Sequence, residues 1–207
     1  MIIKVSLRNQ VKEYLQDQML NGRISFGERL SLPTLAKELG VSVTPIREAL
    51  TQLQQVHVVE AIPNKGFFLP HLDKAEAADI YPVIANLEHL AVSMSQYGPQ
   101  DIEQLKGVQA SIAKASSAKV IVTKDLKFHD LLLGKHRNAV LQQVLADLKI
   151  RVFLYEFHYM KNSELSKLSS SYHNRIIHAL EHNDPLQAAD LVKESWLTSI
   201  DFIKDQF

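Results

Sequence analysis

Asp125 and His129 stand four residues apart in a segment of helical spacing, so a helix presents both side chains on one face. Leu132 and Leu133 continue that face inward. His173 opens a second inward stripe that runs on through Ile177 and Leu180. One carboxylate and two imidazoles from neighbouring helices would hold a divalent cation, Zn2+, Ni2+ or Mn2+. The same residues also suit an ordinary hydrogen-bonded pair, and spacing alone leaves both readings open. A different chemistry is written near the N-terminus. Beyond Gly40, the segment beginning at Ser42 turns Ser42, Thr44 and Arg47 outward at its N-terminal end. Free backbone N–H groups and the helix dipole favour phosphate there, and such an end fits the major groove of DNA.

These residues need helices to carry them, and the chain supplies helices almost throughout. Only 7 Gly and 7 Pro occur among 207 residues, and 46% of the chain is hydrophobic. That favours long helices over a turn-rich β fold, with enough apolar material for one large core or two small ones. Leu7, Val11, Leu15 and Met19 mark a first helix, stopped by Asn21-Gly22. Leu35, Ala36 and Leu39 mark a second, ending at Gly40. The third starts at Ser42 as N-cap, holds Pro45 in its first turn, and carries the stripe Ile46, Leu50, Leu53.

Val58 to Ile62 and Phe67 to Leu69 read as extended pieces around the turn Pro63-Asn64-Lys65-Gly66, a β-hairpin wing. Pro70-His71-Leu72 reads as a linker. From Asp73 onward every segment is helical, with breaks at Gly98-Pro99, Ser116-Ser117, Gly134 to Asn138, Lys161 to Ser163 and Asn183-Asp184-Pro185. The expected fold is mainly α. A winged helix-turn-helix of three helices plus a β-hairpin spans 1–70, and an all-α bundle of about six helices spans 73–207.

Composition narrows the function. The 23 basic and 23 acidic residues cancel, so a DNA reading rests on the local motif. Up to Leu72 there are eight basic and six acidic residues, a modest +2. With no Cys there is neither a disulfide framework nor thiol chemistry. No secretion leader is visible, and no apolar run approaches the roughly 18 residues of a membrane span. A soluble, cytoplasmic protein is the expectation. A metal-dependent hydrolase or lyase using Asp125, His129 and His173 is the alternative from another class. It lacks a visible constellation of nucleophile, base and oxyanion donor and leaves the wing without a task. A winged helix used for protein contacts is a further reading.

The block from Gly22 to Leu69 resembles the GntR superfamily. The matching pieces are Gly27-Glu28-Arg29-Leu30, Leu35-Ala36, Gly40-Val41-Ser42, Thr44-Pro45-Ile46-Arg47-Glu48-Ala49-Leu50 and the wing Pro63-Asn64-Lys65-Gly66. The later chain resembles the FadR-like branch and its FCD-type effector domain, through Asp125 to His129, Asn138, Leu141, Tyr172-His173, Ala179, Asp184 and Ala188-Ala189. The resemblance implies a DNA-binding regulator, a repressor, with a small-molecule effector such as an organic acid. It places Thr44 and Arg47 at the DNA and Gly66 near the minor groove, and Ser42, Val43 and Lys65 are expected beside them. It also implies a metal held by one Asp and three His.

Five departures stand out. Val43 replaces a usual basic residue and could meet a thymine methyl. Pro33 falls where some members carry Arg, and His57 where a Gly usually precedes the first wing strand. In the effector domain, Trp196 stands where the final His should fall, and an indole cannot ligate a metal. Asp125, His129 and His173 then form an incomplete site that water or effector oxygens could complete. Ile84 replaces an Arg that would meet a carboxylate.

Ile84, Arg151, Tyr155 and Trp196 are expected around the effector, with His158 as a further polar liner. His89, His136, His178 and His182 are expected to be solvent-facing or capping residues. The chain is expected to form a homodimer, mainly through the bundles and also the first helix. It would read an inverted-repeat operator in double-stranded DNA, with the ligand changing the spacing of the two heads.

Overall fold

A computed structural model describes residues 6–159 and 163–205. The chain divides into two compact units, residues 1–72 and 73–207. In the first, α1 (Leu7–Leu20) is capped by Ser6, whose side chain accepts from the Asn9 N–H, and it buries Val11, Leu15 and Met19. α2 (Leu32–Leu39) is capped by Ser31 and ends at Gly40, whose φ of 67° is the left-handed turn a Cβ would oppose. α3 (Val43–Gln55) packs on both through Ile46, Ala49, Leu50 and Leu53. Ser42 has the extended backbone of an N-cap, but its side chain makes no capping hydrogen bond. The hydroxyl expected to close that helix is left to other partners.

The wing is a two-stranded antiparallel sheet, β1 (Glu60–Ile62) and β2 (Gly66–Phe68), with Ile62 opposite Gly66. Its strands are shorter than the extended pieces read from the sequence. Asn64 at φ 62° and Gly66 at φ 104° make the turn. Residues 27–30 also pair with β2, which periodicity did not suggest. Leu30 N–H donates to the Phe67 carbonyl at 2.8 Å and Leu69 N–H to the Glu28 carbonyl at 3.0 Å. Arg29 is thereby seated beside the wing.

His57 holds φ 58° between α3 and the wing. This is the position where the family resemblance expects Gly, and the backbone keeps the glycine conformation although the side chain has changed. Relief of roughly 1–2 kcal/mol of left-handed strain outweighs about 0.4–1 kcal/mol of added unfolded-chain entropy. His57→Gly is therefore expected to stabilise the protein by about 0.5–1 kcal/mol. Chemical denaturation checks this, and a lower midpoint would show that the imidazole contributes more than the strain removes.

The second unit holds α4 (Lys74–Ser93), α5 (Pro99–Ala113), α6 (Ala118–Leu133), α7 (Ala139–Tyr159), α8 (Ser163–Glu181) and α9 (Pro185–Lys204). These are the six expected helices among the described residues. Most start where the sequence placed a signal. Asp73 accepts from the Glu76 N–H at 2.7 Å, Ser117 from Val120 at 3.3 Å, and Asp184 from Gln187 at 2.9 Å. Pro99 opens α5, and Asp101 reaches back to the Gly98 N–H at 2.9 Å. The expected break at Lys161 to Ser163 falls largely outside the described residues, and α8 opens at Ser163. α4 lies along α9 and also touches α6 and α7, while α8 packs on α5 and α9. Buried positions of α4, α6, α8 and α9 thus share one interior.

Candidate nucleic-acid interface and candidate metal centre

Ser42, Val43, Thr44 and Arg47 are all exposed at the start of α3. Ile46, Ala49 and Leu50 hold the opposite face in the core, which fixes the direction of the exposed set. A groove of about 470 Å3 runs from Val43 and Arg47 past Pro33 to Gly66, and Arg29 lines it too. Lys65 is exposed at the wing turn. A Cβ added at Gly66 would lie 3.5 Å from Arg29 Nε and would have to hold a φ of 104°. Arg29 therefore adds a second guanidinium to the surface carrying Arg47. The sequence reading counted Arg29 as basic without assigning it to the interface, because the pairing that seats it joins residues nearly forty apart.

In the second unit, Asp125, His129 and His173 come together, each buried, with one donor atom of each within 4.8 Å of the others. Ligands near 2.1 Å from one ion need only a small contraction from that span. The outer partners suit such a site. His129 Nδ1 donates to Glu88 Oε2 at 2.7 Å, so Nε2 is the ring nitrogen that a cation would use, by displacing its proton. His173 Nδ1 donates to Gln109 Oε1 at 2.9 Å, so its Nε2, 3.5 Å from Asp125 Oδ1, is the unprotonated nitrogen of a neutral ring. Ser169 donates to Asp125 Oδ1 at 2.6 Å, and Phe128 stacks on His173 at 3.8 Å between ring centres.

The charges follow from this geometry. Burial would lower His129, but the Glu88 carboxylate and Asp125 outweigh it and hold the imidazole above its ordinary value. Burial and the neighbouring His129 push His173 well below its ordinary value. Burial raises Asp125 despite His129 and Ser169. Glu88 is held below the usual range because His129 overcomes the cost of burial.

Comparison with known proteins settles the family. Residues 7–69 match the family described as bacterial regulatory proteins, gntR family, and residues 79–196, more than half the chain, match the FCD domain. This chain is a GntR-family transcriptional regulator of the FCD type. Among curated relatives, the HTH-type transcriptional regulator McbR of Escherichia coli K12 is 28% identical over 179 residues, 82% of this chain and 80% of McbR. The HTH-type transcriptional repressor GlaR of the same organism is 26% identical, covering 92% of this chain and 93% of GlaR. The solved structure of E. coli McbR/YncC superposes with a TM-score of 0.83 at 25% identity, over 98% of this chain and 99% of that one.

Within this GntR regulator, Trp196 does sit beside the three metal-type residues. Its indole Nε1 donates to Glu88 Oε2 at 2.7 Å, and its ring centre is 5.0 Å from that of His129. Glu88 is thus the central residue of the cluster that the sequence reading left unassigned. Ile84 is fully buried one turn earlier on α4. Arg151 and Tyr155, both expected around the effector, meet Glu76. Arg151 Nε donates to Glu76 Oε1 at 3.0 Å and Tyr155 OH to Glu76 Oε2 at 2.6 Å, tying α7 to the start of α4. Tyr155 is buried, its ring 6.2 Å from that of Tyr81.

His158 is exposed with its ring against Tyr159. His136 is buried rather than solvent-facing, and its Nδ1 accepts from the Asn138 N–H at 3.2 Å. His89 joins Asp190 at 3.0 Å, and His178 and His182 stack at 4.3 Å.

Glu156 was missed altogether. It is buried on α7, accepts from Tyr81 OH at 2.6 Å, and burial together with the charge of Asp125 pushes it up to about 7. Its signal was present as a lone acid within Val152-Phe153-Leu154-Tyr155-Glu156-Phe157.

Proposed function

We propose that residues 1–70 bind double-stranded operator DNA and that residues 73–207 bind a divalent metal and a small-molecule effector that sets the affinity of the first region. Ser42, Thr44 and Arg47 enter the major groove, Val43 meets a thymine methyl, and Lys65, Gly66 and Arg29 contact the adjacent backbone and minor groove. Two chains pair as a homodimer on an inverted repeat and act as a cytoplasmic repressor rather than an enzyme. The observation that carries the reading is one GntR-family chain bearing both an exposed, polar α3 end beside the wing and a buried Asp125–His129–His173 cluster.

The metal supplies a Lewis-acidic coordination position that effector oxygens can occupy. The chain's own residues favour metal-bound ligation over a plain organic-acid pocket. Glu88, Asp125 and Glu156 gather acid there, and Ile84 replaces a basic partner. Energy differs between DNA-competent and incompetent states only so far as the ligand contacts them differently.

Selection from random duplexes is expected to recover half-sites one helical turn apart, about 10 base pairs. Zn2+ at about a hundred times its Kd is expected to stabilise the protein by about 2.7 kcal/mol, and Asp125→Ala to abolish that stabilisation. Failure to enrich any duplex would sink the DNA assignment. An equal Zn2+ effect in the Asp125 variant would sink the metal assignment.

A further inference from the structure

Glu88 carries a buried oxygen, Oε1, with no hydrogen-bond partner among the described residues, while its other oxygen takes two donors. Both donors sit at 2.7 Å, His129 Nδ1 from α6 and Trp196 Nε1 from α9, and Glu88 itself lies on α4. Three helices thus converge on one carboxylate oxygen. A lone buried carboxylate is costly, and holding it at this point requires both donors.

We propose that Trp196 is a positioning residue of the metal centre. Its indole N–H fixes Glu88, and Glu88 fixes the Nδ1–H tautomer and ring direction of His129. His129 Nε2 is then presented to the cation shared with Asp125 and His173. The inference rests on the metal reading above and deepens it. Trp196 gives up a coordinating nitrogen, since an indole only donates. It supplies instead the outer contact that orients a ligand.

Asp125, His129 and His173 would hold the cation and would leave room for a water or an effector atom. Glu88 Oε1 is then the acceptor for a hydrogen-bond donor that arrives with that ligand, such as a metal-bound water, a hydroxyl or an amine. A carboxylate anion brings no such donor. A purely packing role for Trp196 would need only its ring contacts, 5.7 Å to Tyr81 and 5.0 Å to His129, which phenylalanine largely keeps.

Titration calorimetry with Zn2+ alone on the full chain separates the two roles. The wild type is expected to bind one ion per chain. Trp196→Phe and the near-isosteric Glu88→Gln are each expected to weaken that binding roughly 10- to 100-fold. Trp196→His, which restores a ligand atom, is expected to tighten it. Because Trp196 is the chain's single tryptophan, its emission is expected to change in step with Zn2+ occupancy in the wild type. In Glu88→Gln that change is expected to shift to the weaker binding curve.

Zn2+ affinity within twofold of wild type in Trp196→Phe would overturn the proposal while leaving the metal site intact. If that variant does not fold, unchanged affinity in Glu88→Gln overturns it equally. No Zn2+ binding by the wild type overturns the metal reading, and this inference falls with it.

Discussion

Replacing Arg47 with alanine is expected to lower operator affinity by about 2–6 kcal/mol, roughly 30-fold to 10^4-fold. A guanidinium contact to guanine or phosphate contributes about 1–3 kcal/mol, and a two-fold complex loses it at both half-sites. The fold is expected to be untouched. Arg47 is exposed, while α3 is anchored by Ile46, Ala49, Leu50 and Leu53. Denaturation midpoints should therefore stay within about 0.5 kcal/mol, and Zn2+-induced stabilisation should persist. Fluorescence anisotropy across a salt series is the measurement. Unchanged affinity with an unchanged salt slope would remove Arg47, and with it this face of α3, from the interface.

The second large effect concerns Glu156. Its carboxyl is pushed up to about 7 by burial and by Asp125, against roughly 4.3 in an unfolded chain. The folded state therefore binds a proton more tightly than the unfolded state. Between those two values the folded chain holds more protons, so stability falls as pH rises. The cost is absent below the unfolded value and complete above about 7. Glu156→Gln keeps the shape and an acceptor for Tyr81 OH, which donates to Oε1 at 2.6 Å. It is expected to gain about 3.5 kcal/mol relative to wild type at pH 8, by linkage, and almost nothing at pH 4. Urea denaturation at the two pH values reads the difference directly. A gain of equal size at both would show that proton linkage at Glu156 is not its source.

Local rules made most of the architecture legible. Gly40, Asp73, Ser117 and Asp184 each mark a helix end through contacts three or four residues long, and such contacts are visible in a linear chain. Asp125 and His129 were legible for the same reason, since four residues is one helical turn. What stayed hidden depends on partners far apart. Glu88 meets His129 across 41 positions and Trp196 across 108. Residues 27–30 join β2 only once the wing has formed. Arg151 and Tyr155 meet Glu76 across about 75 to 79 positions, at a carboxylate on the start of α4 that no periodicity pairs with them. α7 buries Ile150 and Val152 to Phe157, so it offers no amphipathic stripe to say which of its polar groups face inward.

The empty hand of Ser42 has a consequence for how recognition is built. Asp73, Ser117 and Asp184 spend their side chains on their own helices, whereas the opening amides of α3 receive no such service from Ser42. If phosphate oxygens take up those amides, the nucleic acid completes a piece of secondary structure that the free protein leaves unfinished. Part of the binding energy is then local ordering of the reading head itself, gained wherever a phosphate is correctly spaced and independent of which bases lie beneath it.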